Sequence, residues 1–228
     1  MAGTVVHLVI ADKLLDKLNI NNPAFFYCGN LAPDAIMARK NYEREMKNHT
    51  HFKDGLKPYQ FRIKENQEAY LKRLMDFYEE VCVGCDKENK DLFLGYLVHI
   101  LVDELYLLDY YEKHLVKLEK AGINFDDEAY ARDYVFDVDR IDWELVRNYK
   151  FKHPMPDILW SEMDYEIPGW IANEELISSK TFIIDKNFGQ EHEAEELRVQ
   201  SHKESDEFIE KCVELIPGIL KERFGIGL

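Results

Sequence analysis

The 228-residue chain is 46% apolar and 13% aromatic, enough to bury one substantial core, and its 32% charged residues run along the whole length instead of collecting in a disordered tail. Forty-four acidic residues against 29 basic ones give a net charge of −15, and no Lys/Arg run interleaves with aromatics to follow a phosphate backbone, so nucleic acid is disfavoured as a general partner. No uncharged apolar stretch of about 18 residues exists to form a transmembrane segment, and the opening MAGTVVHLVIADKLLDKL lacks a basic n-region and is broken by Asp12 and Asp16, so a cytoplasmic location is expected.

Along the chain the periodicity is helical nearly everywhere. Residues 5–18 place Val6, Ile10, Leu14 and Leu18 on one stripe, with His7 in the first turns. FFYCGNLAPD, residues 25–34, reads as an apolar turn ending in Asp34, which is either an N-cap for a helix starting at Ala35 or a metal ligand. In NHTHF, His49 and His51 alternate across a predicted loop, so only one of them need face a given centre. Residues 62–82 set Ile63, Tyr70, Leu71, Leu74 and Phe77 on a second stripe, and 89–120 form a long apolar helix stopped at Gly122. Further helices are expected at 126–149, around 156–163, at 168–179 and at 191–223, while TFIID at 181–185 looks briefly strand-like. Connections fall at Asn22-Pro23, Ala32-Pro33-Asp34, Asp54-Gly55, His153 to Pro156 and Ile167 to Gly169. The expected fold is all-α, a multi-helical single domain over 1–228, with 125–190 a candidate cap or insertion.

Cys28, Cys82, Cys85 and Cys212 are too few and scattered for a disulfide framework. The CxxC at 82–85 has neither the second pair of a zinc ribbon nor the βαβ setting of a redox motif, and reads as ordinary thiols. More informative is FLGYLVHILVDEL, residues 93–105. It carries His99 and Asp103 four residues apart, separated by only about 40° around a helix. A buried aspartate needs a partner or a metal, so the pair is either a hydrogen-bonded couple inside the core or two ligands of one ion.

The order of the motifs carries a resemblance. His7, then Gly29-x-x-x-Pro33-Asp34, then Thr50-His51-Phe52, then Leu94-Gly95-Tyr96-Leu97-x-His99-x-x-x-Asp103 resembles the zinc-dependent phospholipase C and S1/P1 nuclease superfamily over roughly residues 5–110. That resemblance implies an all-α hydrolase holding one to three zinc ions and cleaving a phosphoester of a small phosphorylated metabolite or phospholipid head group with metal-activated water. It implies that Asp34, His51, His99 and Asp103 surround one metal, that His7 binds a neighbour with Asp103 bridging, and that Asp34 orients or deprotonates the attacking water.

Two departures stand out. Secreted members ligate a metal through an N-terminal tryptophan, whereas this sequence shows Met1 with five residues before His7. Where members place a further histidine after the H-x-x-x-D segment, this chain has Asp109, whose carboxylate could substitute as an oxygen ligand. Of the two downstream His-x-x-x-acid pairs, His192/Glu196 and His202/Asp206, the latter is preferred as nearer the apolar part of the C-terminal helix; His114 and His153 have no supporting pattern. The alternative is a non-catalytic helical domain whose buried His/Asp network supports a protein-interaction module. HD-type phosphohydrolases rank last because no His-Asp dipeptide occurs. The aromatic patches DELYLLDYYEK and MPDILWSEMDYEIPGW line either a cleft or the core.

Overall fold

The computed structural model describes residues 2–86, 89–123, 127–161 and 166–227. The chain is all-α, and its secondary structure among those residues is helical apart from a single Ile167–Ile171 bridge. Helix α1 (Thr4–Leu14) is buried on nearly every face, and α5 (Lys90–Leu105) is buried at every position from Asp91 to Leu105. Each fully buried Val, Leu or Ile there contributes roughly 1.5–3 kcal/mol over its exposed state, so these two rods form the middle of the core. The predicted one-sided stripe at 5–18 gives way to a helix buried nearly all round, in which the buried Asp12 accepts hydrogen bonds from the Tyr27 and Tyr149 hydroxyls at 2.6 and 2.7 Å.

Residues 23–35, read from sequence as an apolar turn, form helix α2 (Pro23–Ala35). Asn22 caps it, its side chain accepting from the backbone N–H groups of Ala24 and Phe25, and Pro23 occupies the first helical position where no N–H is needed. Asp34 therefore sits in the last turn of α2 and is not an N-cap. A second correction concerns NHTHF: helix α3 (Arg44–Thr50) runs into it, and His51 is the C-cap, not a loop residue.

α4 (Lys64–Phe77) continues into a π-helical turn at Tyr78–Cys82, and α5 continues through a π-helical Tyr106–Tyr110 into α6 (Tyr111–Ala121), ended by Gly122 in the left-handed region. α7 (Glu128–Asn148), α8 (Met155–Trp160) and α9 (Asn173–Ile183) follow. Position 126 of the predicted 126–149 helix and positions 162–163 of the 156–163 helix lie outside the described residues. The strand-like TFIID is helical instead: it ends α9 and enters a π-helical Ile184–Phe188, burying Ile183 and exposing Phe182 as a helix surface demands.

The last predicted helix, 191–223, begins only at His202 as α10 (His202–Phe224). The Ser201 hydroxyl caps it, and Asp137 of α7 accepts the successive N–H groups of Arg198, Val199 and Gln200 at 2.9, 2.7 and 2.8 Å, holding 191–201 in an irregular path. His192 and Glu196 thus do not share a helix face, and His192 stacks on Trp143. Residues from α7, α8 and α9 (Ile141, Leu159, Leu176) join the same core as α1, α2 and α5. No described helix is long and apolar enough to cross a membrane.

Candidate metal centre

α2 and α5 make the most extensive helix contact in the molecule, and two glycines permit it. A Cβ on Gly29 would lie 1.9 Å from the Leu92 carbonyl oxygen, and one on Gly95 would lie 2.1 Å from that of Phe26. With the backbones this close, the Asn30 carbonyl oxygen reaches His99 Nδ1 at 2.8 Å. The glycines of the Gly-x-x-x-Pro-Asp and Leu-Gly-Tyr-Leu motifs are therefore packing devices that aim His99.

The Thr-His-Phe motif aims the second imidazole. The Thr50 hydroxyl donates to the Pro33 carbonyl at 2.9 Å, and the Tyr96 hydroxyl donates to the Thr50 carbonyl at 2.6 Å. Phe52 adopts φ 58°, the left-handed conformation that commonly follows a helix end but strains a bulky side chain. Arg73 holds it there, donating twice to the Phe52 carbonyl, at 2.9 and 2.6 Å. His51, between these anchors, donates Nδ1–H to the Lys47 carbonyl at 2.8 Å.

A carbonyl only accepts, so both Nδ1 atoms carry the proton. Burial pushes the pKa of both rings down, well down for His99, where His7 adds to the effect, so both are neutral near pH 7. Their Nε2 lone pairs then face each other at 3.3 Å. Two lone pairs in that position repel unless an electrophile lies between them, and main-chain carbonyls fixing the far ring nitrogen are the usual outer support of metal-bound histidine.

Carboxylates close the arrangement. Asp34 Oδ1 lies 3.1 Å from His51 Nε2, Asp103 Oδ2 lies 3.8 Å from the same atom, and Asp103 Oδ1 lies 3.6 Å from His7 Nε2. The His7 ring stacks on His99 at 3.9 Å, and His7 Nδ1 is buried without a hydrogen-bond partner. Ligand atoms converge within 4.8 Å in two sets, His7/His99/Asp103 and Asp34/His51/His99, sharing His99. Burial opposes ionisation of both aspartates but is outweighed: the Lys47 ammonium holds Asp34, and the Lys53 ammonium holds Asp103, well below the usual carboxylate range. The donor set of neutral imidazoles and ionised carboxylates is the one that suits Zn²⁺, and it fits one or two ions.

The remaining sequence candidates have other partners. Asp109 pairs with Lys113 and Lys211, His202 pairs with Glu144 at 2.7 Å, and Asp206 is exposed; none joins a converging set among the described residues. His49 stacks on Trp170, His153 sits edge-on to Tyr27, and His114 lies among Tyr110, Tyr130 and Tyr134. Met1 lies outside the described residues.

Sequence reasoning missed two cations. Lys47 Nζ is 2.6 Å from Asp34 Oδ1, and Lys53 Nζ is 2.8 Å from Asp103 Oδ2. The one signal for Lys47 was its spacing one helical turn before His51. Both line a cavity of about 290 Å³ that reaches His51. No protein family, curated protein or solved structure compared with this chain matches it significantly.

Proposed function

We propose that the chain is a zinc-dependent hydrolase of phosphoesters, acting on a small phosphorylated molecule. The observation that carries this reading is the pair of carbonyl-locked, neutral imidazoles whose lone pairs meet at 3.3 Å between two ionised aspartates. The motif order shared with the phospholipase C and S1/P1 nuclease superfamily supports it. His7, Asp34, His51, His99 and Asp103 would hold the metal, which supplies Lewis acidity toward a phosphoryl oxygen and lowers the pKa of water toward 7. Asp34, the most exposed of the five at 18% of its side chain, would accept a hydrogen bond from the attacking water, fixing its direction. Lys47 and Lys53 bring positive charge to the same end of the cavity, where charge builds on the phosphoryl oxygens.

One observation favours a second reading. Lys47 and Lys53 already neutralise Asp34 and Asp103, as in a buried polar network that serves only the fold. Metal content by mass spectrometry, with a screen of phosphate mono- and diesters, separates the two. The hydrolase reading expects stoichiometric zinc and turnover lost in Asp103→Asn. Metal-free protein, with His99→Ala equally destabilised whether or not zinc is added, leaves the network reading standing.

A further inference from the structure

The charge of the cavity wall bears on what the site accepts. In a chain with 44 acidic and 29 basic residues, the wall contains Arg44, Lys47, Lys53 and Lys57 and no carboxylate. Lys47 and Lys53 lean inward on Asp34 and Asp103. Arg44 and Lys57 are exposed at the mouth and pair with no carboxylate among the described residues. Two uncompensated like charges at one opening, backed by the two paired lysines, create a field that an anion relieves in a chain whose net charge is −15. Leu56 and Phe61 supply an apolar side to the same cavity, whose volume of about 290 Å³ suits only a small ligand.

We infer that this cavity takes a dianionic phosphate monoester bearing a small apolar or aromatic organic group, and that Arg44 and Lys57 are its specificity residues. The inference deepens the hydrolase reading and rests on it for turnover, though not for binding. Arg44 offers a planar fork to two phosphate oxygens, and Lys57 offers a point charge beside it. The organic group then lies against Leu56 and Phe61, and the phosphorus points toward His51. A zwitterionic head group fits poorly, because its quaternary ammonium meets cations where it needs carboxylates or an aromatic cage.

The test is calorimetric titration of the full, chelator-treated chain with phenylphosphonate, which is not hydrolysed, at mildly alkaline pH where it is a dianion, with phosphocholine as comparator. Phenylphosphonate is expected to bind about tenfold tighter than phosphocholine or better, with affinity falling as salt rises, and Arg44→Gln/Lys57→Gln is expected to lose about tenfold. Both substituted residues are exposed, so the double variant should keep the wild-type melting temperature, which a thermal scan checks. Equal affinity for the two probes, or unchanged affinity in the double variant, overturns the inference. Protein that holds no zinc as purified, gains no turnover on added zinc and still binds phenylphosphonate sinks the hydrolase reading alone. Zinc-loaded protein that cleaves zwitterionic diesters and ignores phenylphosphonate sinks this inference alone.

Discussion

Replacing Gly95 with alanine tests how the helix crossing governs the site. The added methyl would stand 2.1 Å from the Phe26 carbonyl oxygen and 2.8 Å from the Asn30 nitrogen, whereas a carbon–oxygen contact settles at about 3.3–3.6 Å. Helix α2 must therefore retreat by ~1 Å, and because the obstacle is main chain, no side-chain rotation relieves it. Overpacking of this kind costs about 1–3 kcal/mol, and the upper end applies here. For a chain of this length that lowers Tm by ~6–12 °C, at roughly 2–4 °C per kcal/mol. The same retreat stretches the 2.8 Å bond between His99 Nδ1 and the Asn30 carbonyl past hydrogen-bonding range, so under the hydrolase reading zinc affinity should fall ~10–100-fold. Circular-dichroism melts with and without zinc, plus a zinc titration, measure both effects. Gly218→Ala is the control, since nothing lies within 4 Å of the methyl it adds and it sits within α10; it should gain ~0.5–1 kcal/mol. A Gly95→Ala protein that melts and binds zinc like the wild type would refute the account of the crossing.

Two further outcomes are expected. Asp142 accepts the Val6 N–H at 3.2 Å at the start of α1, and burial raises its pKa to about 7. The folded chain then holds this proton more tightly than the unfolded one, so its contribution to stability declines as pH rises from about 4 to about 7 and stays low above that. The decline is at most ~4 kcal/mol. Asp142→Asn should remove that slope and be the more stable protein at alkaline pH; parallel urea denaturation series across pH check this, and identical slopes would contradict it. Lys53→Met strands the buried Asp103 carboxylate, which should cost ~3 kcal/mol. Under the hydrolase reading added zinc restores the lost melting temperature by binding the folded state, and a melt that ignores zinc favours the network reading.

Much of the helical framework was legible because long apolar runs leave few choices: 89–120 read as one long apolar helix, of which α5 is buried from Asp91 onward while α6 buries only Tyr111, His114 and Leu118, and Gly122 marked its end. α2 was illegible for a local reason. Gly29, Asn30 and Pro33 all advertise a turn, and only the tertiary demand for close approach to Leu92 explains why Gly29 stands inside a helix. His7, Asp34, His51, His99 and Asp103 were found because metal-ligand residue types recur in a recognisable order, and the fold does bring those five together. Lys47 and Lys53 were not found, since an ion pair across the fold leaves no periodic trace. Asp109 matched only a separation from Asp103, and His202/Asp206 a spacing that α10 keeps, but Asp109 pairs with lysines, His202 pairs with Glu144 and Asp206 is exposed, so none joins the cluster among the described residues.

The two acceptors that orient His51 and His99 are the peptide carbonyls of Lys47 and Asn30. A peptide carbonyl is supplied by every amino acid, so the aim of both imidazoles is encoded in the path of α2 and α3 and not in the identities at positions 30 and 47. Mutational drift at those two positions leaves the aim intact as long as the helices keep their paths. The vulnerable letters are instead the two glycines at the crossing, which have no contact with the imidazoles and no substitute that fits.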